Sequence, residues 1–283
     1  MAKRPKIRKR PQTYWSKRSV ERTLATEAQM SHYSARIGRV YDTARRQTVR
    51  EVQKIYETYY KDNKFDTQAL RSIMPSGSVM RFKREMKRLG LETELPSNYA
   101  ARVNRLDFLN LQMWAEVKKA SQFENKNATE LYLETIKDGF YRTIYDTAKG
   151  LGHTPAFSQL NTRTVDKILM SANHGRHYSS RIWDNSNKTT TEIKDIIASA
   201  LASGQSPEKT VRQLRERFDV SANNARRLVR TETSYFENQA ELEAYEAMDI
   251  EEYQFLATLD GRTSAICQSL DNQRFKVKEV SQA

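Results

Sequence analysis

Val220–Ile250, VSANNARRLVRTETSYFENQAELEAYEAMDI, is the stretch on which the reading of the fold turns. It contains no Gly or Pro. Ser221 is placed to accept a bond from a first-turn amide, and small or apolar side chains recur at helical spacing at Ala225, Leu228, Val229, Phe236, Ala240 and Ala247. The stretch therefore reads as one helix with an apolar stripe. At about 100° per residue, Glu232 falls inside that stripe, Arg226 and Arg230 lie at its edge, and Arg227 points away. A carboxylate on a buried face is costly unless it is paired and hydrogen-bonded. Glu232 is thus expected to meet an arginine, with Arg230 or Arg262 as the partner, and Arg230, Glu232, Asp260 and Arg262 form a candidate structural anchor. The plainer reading is a partly solvated Glu at the rim of the stripe.

After Ile250 the period changes from 3.6 toward 2. Tyr253, Phe255 and Ala257 alternate against Gln254 and Leu256, Asp260 and Gly261 supply a turn, and a small hairpin is expected to end near Phe275 to Val277. Upstream, Ser206 caps a helix with Pro207 at its first position and Glu208 beside it. A helix over 207–217 and another over 221–248, joined by FDVS, would make a helix-turn-helix with Ala225, Arg226, Arg227 and Arg230 facing a groove. Against this, the second helix is long and apolar along one side, and Glu232 and Glu237 would oppose phosphates. A helix from about Thr191 to Ser203 precedes the pair. Arg181, Ile182 and Trp183 read as a structural insert with the indole in the core.

The N-terminal half is helical as well. From about Tyr14 to Lys61 the only breaker is Gly38, and Tyr33, Ile37, Tyr41, Ala44, Val52, Ile55 and Tyr59 mark one face. Asp66 or Thr67 caps a short helix, and Val79–Gly90, VMRFKREMKRLG, makes a basic amphipathic helix ended by its glycine; its basic face is either a DNA contact or simply solvated. Pro96 and Ser97 open a second long helical region. Tyr99, Val103, Leu106, Leu109, Met113, Trp114 and Val117 form its buried side, ENKN (Glu124–Asn127) interrupts it, and Leu133, Ile136, Phe140, Ile144 and Ala148 carry it on to Gly150. HTPAFSQLN is a linker before a short helix that starts at Thr162. The fold class is mainly α, with long helices in an N-terminal helical region and a C-terminal helical module bearing a small β-hairpin. The division expected is a disordered basic arm over 1–12, a helical domain over 13–152 and a C-terminal module over 153–283.

Charge narrows the partners. The net charge is +13 and the pI about 9.7, which points to a polyanion. No stretch approaches the roughly 18 consecutive apolar residues that a spanning helix needs, so no membrane anchor is expected. The arm MAKRPKIRKRPQ lacks an apolar run to follow it and so is no signal peptide. Such a run of like charge cannot offset its ordering entropy alone, whereas neutralising phosphates releases counterions. Lys3, Arg4, Lys6, Arg8, Lys9 and Arg10 are therefore the candidate contacts to double-stranded DNA, against the plainer reading of a solubilising tail. The single cysteine, Cys267, excludes an intrachain disulfide and fits a reducing cytoplasm. His174 and His177 raise the question of a metal, but no further ligand lies near in sequence, and neither a metal nor a cofactor is expected.

Four segments share an order and spacing with a known family: Tyr178–Asn185 (YSSRIWDN), Gly204–Phe218 (GQSPEKTVRQLRERF), ARRLVRTET within the long helix, and Tyr253–Phe275 (YQFLATLDGRTSAICQSLDNQRF). Together they resemble the phage minor head proteins of the Mu F-like head-morphogenesis family. The resemblance implies a protein that joins the capsid in small numbers during assembly in the host cytoplasm. It further implies a place in the virion interior near the portal protein, contact with DNA, with capsid or scaffold proteins as further partners, and departure with the genome. Family members often carry a second cysteine three residues before the position of Cys267 and a His-Pro-x-Cys-like element after that of Phe275. Here the first is Ser264 and the chain stops at Ala283, so the resemblance gives no support to a metal clasp.

No Gly-rich phosphate loop, paired-carboxylate motif or Ser/His/Asp set in a strand-turn-helix frame is present, and no enzymatic activity is expected. The competing class is a stand-alone helical DNA-binding regulator with a preferred sequence. The long helices between Tyr14 and Gly150, rich in tyrosine and carrying Trp114, offer the largest area for docking on a portal.

Overall fold

The computed structural model of the chain describes residues 13–92, 103–154, 159–257 and 264–280. In chain order the elements are α1 (Tyr14–Tyr59), β1 (Tyr60–Lys61), β2 (Lys64–Phe65), α2 (Thr67–Leu70), α3 (Ser76–Arg88), α4 (Arg105–Gly150), α5 (Thr162–Leu169), α6 (Tyr178–Ser203), α7 (Pro207–Ala247), β3 (Glu252–Gln254), α8 (Ala265–Leu270), β4 (Arg274–Lys276) and α9 (Val277–Val280). The fold is mainly α, as the periodicity predicts. The hairpin is also there: β3 and β4 pair antiparallel with Tyr253 opposite Phe275.

Helix boundaries depart from the sequence reading in one direction, toward longer helices. Residues 207–217 and 221–248 are not two helices; α7 runs unbroken from Pro207 to Ala247. FDVS contains no breaker, and burial carries the helix through it. Phe218 is fully enclosed, and Ser221, expected as a cap, is buried mid-helix with its hydroxyl donating to the Arg217 carbonyl at 3.0 Å. The helix-turn-helix frame is therefore absent, and Ala225, assigned to a groove, is buried. Likewise α1 passes Gly38 without a break, because Ile37 and Tyr41 on either side are locked into the core. Arg181, Ile182 and Trp183 belong to α6, which starts at Tyr178 rather than near Thr191.

The second long helix begins at Arg105, and its polar ENKN patch is no interruption. Glu124 and Asn127 are buried there at helical spacing with Ser121, Ala128 and Tyr132. Pro96 and Ser97 lie outside the described residues.

Local signals fix the helix ends. The Asp66 side chain accepts from the Ala69 amide and caps α2, and that of Asn161 accepts from the Arg163 amide and caps α5. Gly204, at φ +62°, closes α6 in the left-handed region. Within two residues the chain starts α7, with Ser206 Oγ accepting from the Lys209 amide at 3.4 Å and Pro207 at the first helical position. The GQSPE motif is thus a helix stop joined directly to a helix start.

Contacts divide the chain into two compact units, neither of them continuous in sequence. One gathers the chain up to His32, Thr129–Asn173 and the chain from Arg230 onward. The other comprises Tyr33–Ala128 and His174–Val229. Helices α1, α4 and α7 each supply a stretch to both, and the 152/153 boundary expected from sequence falls inside the first unit's Thr129–Asn173 segment. The first unit's core holds Tyr132, Ile136, Phe140, Ile144, Phe236 and Ala240, with the Tyr132 and Phe236 rings 4.8 Å apart. The second unit's core is built on Ile37, Tyr41, Val52, Ile182, Ile193 and Phe218, with a satellite of Phe82, Met86, Leu91, Leu111 and Trp114.

Candidate functional site

Each unit is organised on a buried polar seam. In the first, Asp146 on α4 is almost enclosed and takes Arg22 of α1, whose Nε lies 3.0 Å from Oδ2, while Arg18 Nε lies 3.3 Å from Oδ1. Arg22 also donates to Thr143 Oγ1 at 3.0 Å and pairs with Glu241 of α7. One guanidinium thereby ties three long helices, using the fork of donors that a lysine lacks. Burial opposes the charge on Arg22, but Glu241 and Asp146 outweigh it and hold the guanidinium protonated more firmly than usual. Burial pushes the Glu241 carboxyl up more than Arg22 pulls it down. One turn along α7, Thr26 donates to Glu237 Oε1 at 2.9 Å. Small residues permit this close approach: a Cβ at Gly139 would stand 3.1 Å from Ala240 Cβ.

The second unit's seam centres on Glu124. Tyr41 Oη donates to its Oε2 at 2.7 Å, and Tyr33 Oη to its backbone carbonyl at 2.8 Å. Oε1 has no hydrogen-bond partner among the described residues. Burial therefore dominates and pushes the carboxyl up to about 7, with the Tyr41 bond pulling the other way. Asn185 on α6 sits beside the seam and donates to the Ser221 carbonyl at 3.2 Å. Thr189 and Ser221 hydroxyls meet at 2.6 Å, and Arg217 Nη2 donates to Thr189 Oγ1 at 2.9 Å. The Arg217 Nε lies 2.7 Å from Glu192 Oε2 without an aligned hydrogen bond, so this pair acts through charge. At the far end of α6, Tyr56 Oη donates to the Gln205 carbonyl at 2.9 Å and Tyr60 Oη to the Gly204 carbonyl at 2.8 Å.

The tyrosines and Trp114 named as docking area are accounted for by this packing. Tyr33, Tyr41 and Tyr56 are buried with their hydroxyls bonded inward, and Trp114 is enclosed in the satellite core. Trp183 is half-buried under Lys118, whose Nζ sits 4.7 Å from the ring centre. The large apolar side chains that do face water on α1 are Tyr14, Trp15, Val20 and Leu24.

Of the anchor residues, Glu232 is buried, with 1% of its surface exposed, and Asn173 Nδ2 lies 3.4 Å from its Oε1. Arg230 is exposed. Asp260 and Arg262 lie outside the described residues, as do Lys3, Arg4, Lys6, Arg8, Lys9 and Arg10. The structure thus brings Asn173, which the sequence reading did not name, to the carboxylate. His177 caps α6, its Nδ1 accepting from the Ser179 amide at 3.3 Å. Ser264, standing where relatives often have cysteine, caps α8 through a bond from the Cys267 amide at 3.1 Å.

Sequence reasoning missed the Arg22–Asp146–Glu241 tie and the Glu124 seam. The signal available for Glu124 was its register with Ser121, Ala128 and Tyr132. For Arg22 no single-sequence signal points to partners more than a hundred residues away.

These features define a mainly α-helical protein whose long helices are pinned by buried polar ties and whose net charge is strongly positive. Residues 191–283 match the family described as Phage Mu protein F like protein, so the Mu F-like phage head resemblance read from the sequence is borne out over that segment. YSSRIWDN lies just before the matched region. The match covers about a third of the chain, and over that third the chain is similar to this phage family. No curated protein and no solved structure matches the chain. No helix among the described residues is long and apolar enough to cross a membrane.

Proposed function

We propose that this protein is a minor capsid protein of phage head morphogenesis, built into the head interior near the portal, where it holds double-stranded DNA without sequence preference and leaves with the genome. Its role is structural rather than catalytic. It is made in the host cytoplasm and joins capsid or scaffold proteins during assembly. The observation that carries the reading is the Mu F-like segment at 191–283 in a chain of net charge +13.

Positive charge alone draws a protein onto any nucleic acid, so faithful incorporation at low copy needs a second, specific attachment, and two attachments reinforce each other only when both engage together. Trp15, Val20 and Leu24 on α1 are the surface to test for portal docking, in place of the buried tyrosines and Trp114. Because the first unit draws on three separated stretches, cutting the chain near 152 would divide it, and the test uses the intact chain. Co-purification with the portal protein is expected for the parent and lost on replacing these three side chains by serine; equal recovery of both would move the docking surface elsewhere. Deleting residues 1–12 is expected to weaken DNA binding and flatten its salt dependence equally on unrelated duplexes. A strong preference for one sequence would favour the regulator.

A further inference from the structure

We propose that the outward face of α3 is a second contact for the phosphodiester backbone of DNA, formed by Arg81, Arg84, Lys87 and Arg88. This rests on the DNA-binding reading above and locates part of it on a folded surface rather than on the N-terminal arm. The helix is anchored by Phe82 and Met86, buried with Leu91, Val103, Leu111 and Trp114, and the Phe82 ring stands edge-on to Phe108 at 5.5 Å. At about 100° per residue the four cations cluster on the side directly away from Phe82 and Met86, and all four are exposed. The one acid of the helix, Glu85, is turned toward α4, 4.0 Å from Lys119 Nζ.

Several helix cations elsewhere have acidic partners, among them Arg22, Arg45, Arg46, Lys54, Arg142 and Arg217. Among the described residues, no acidic side chain lies within ion-pair distance of Arg81, Arg84, Lys87 or Arg88. Their mutual spacing of three and four residues places like charges side by side, an arrangement that weakens a helix. A polyanion laid along the face removes that repulsion and releases its own counterions.

Reach selects the ligand. Arg81 to Arg88 spans about 10 Å at a rise of 1.5 Å per residue, a length over which one DNA strand presents about three phosphates. The face offers no flat aromatic surface for bases and no side-chain amide to read base edges, so the contact is to the backbone and indifferent to sequence.

The test is the salt dependence of binding to a short labelled duplex, for the intact parent and for the R81Q/R84Q/K87Q/R88Q variant of the full chain. Helix content and urea midpoint matching the parent confirm folding. The variant is expected to bind at least about tenfold more weakly near physiological salt, with the slope of log affinity on log salt reduced by about 2 to 3. An R81K/R84K/R88K variant keeps the charge and is expected to keep the slope, which separates phosphate contact from a loss of structure.

Parent-like affinity and slope in the glutamine variant would overturn this inference while leaving DNA binding in place. No DNA binding by the parent would overturn both. Unchanged DNA binding with lost recovery of capsid or portal protein would make the face a protein dock instead.

Discussion

Replacing Glu124 by Gln tests the polar seam of the second unit through its pH dependence. The carboxyl is fully buried, its Oε1 has no partner among the described residues, and burial raises its pKa from 4.5 to about 7. The folded state therefore holds this proton more tightly than the unfolded chain does. Stability from this group is fully present below the unfolded value near 4.5 and is lost as pH rises through about 7. A shift of this size corresponds to about 3 kcal/mol between the two plateaus.

Glutamine has the shape of the protonated acid and still accepts from Tyr41 Oη. The Glu124→Gln protein is thus expected to match the parent within about 1 kcal/mol near pH 5, and to exceed it by about 3 kcal/mol near pH 8. The groups nearest the carboxyl, Tyr41, Tyr33 and Asn185, do not titrate across this range in a way that mimics the effect: burial drives both phenols upward, away from it. Glu237, Glu241 and Glu243 are raised too, so the quantity to compare is the difference between variant and parent, in which their contributions cancel. Urea unfolding at the two pH values measures it. A difference that does not change with pH, or a variant weaker at pH 8 than at pH 5, refutes the argument.

Arg22→Met should cost on the order of 3 kcal/mol near neutral pH by leaving Asp146 and Glu241 without their shared cation, and the loss should shrink as pH falls and Glu241, whose carboxyl burial pushes up, takes up a proton; a urea midpoint equal to the parent's would show the tie to be energetically idle. Glu232→Gln keeps shape and removes charge from a buried site, so a loss of about 1 to 3 kcal/mol is expected, and an unshifted melting temperature would return Glu232 to the status of a tolerated polar residue. Gly204→Ala should destabilise by at least about 2 kcal/mol, because φ is +62° and the new Cβ would sit 2.5 Å from the Asn63 carbonyl oxygen, which cannot swing aside. Gly38→Ala meets only the tip of Arg226, at 2.6 Å, and should stay within about 1 kcal/mol of the parent, the gain in helix propensity offsetting the displaced guanidinium; equal losses at both glycines would contradict the distinction.

The mainly α fold was legible because the signals for it are local. Apolar residues at three and four spacing, the Ser206–Pro207 start, the Asp66 cap and the change of period after Ile250 each depend on neighbours a few residues away. What could not be read was where a helix continues through a polar stretch. ENKN and FDVS look like breaks in isolation, yet Glu124, Asn127, Phe218 and Ser221 are buried, and packing overrides the local preference. Burial of Glu232 followed from its register alone; its neighbour Asn173, 59 positions away, did not. The exposed face of α3 could be drawn as a helical wheel, but whether its cations meet acids depends on which surfaces surround it. That is set by the tertiary fold.

The most direct test of the central claim is quantitative mass spectrometry of purified, DNA-filled phage particles. A head-interior minor protein is expected there at a few copies per particle, retained after external proteolysis and washing with high salt. Its absence from such particles, with the protein found only in the infected-cell extract bound to one DNA sequence, would contradict it.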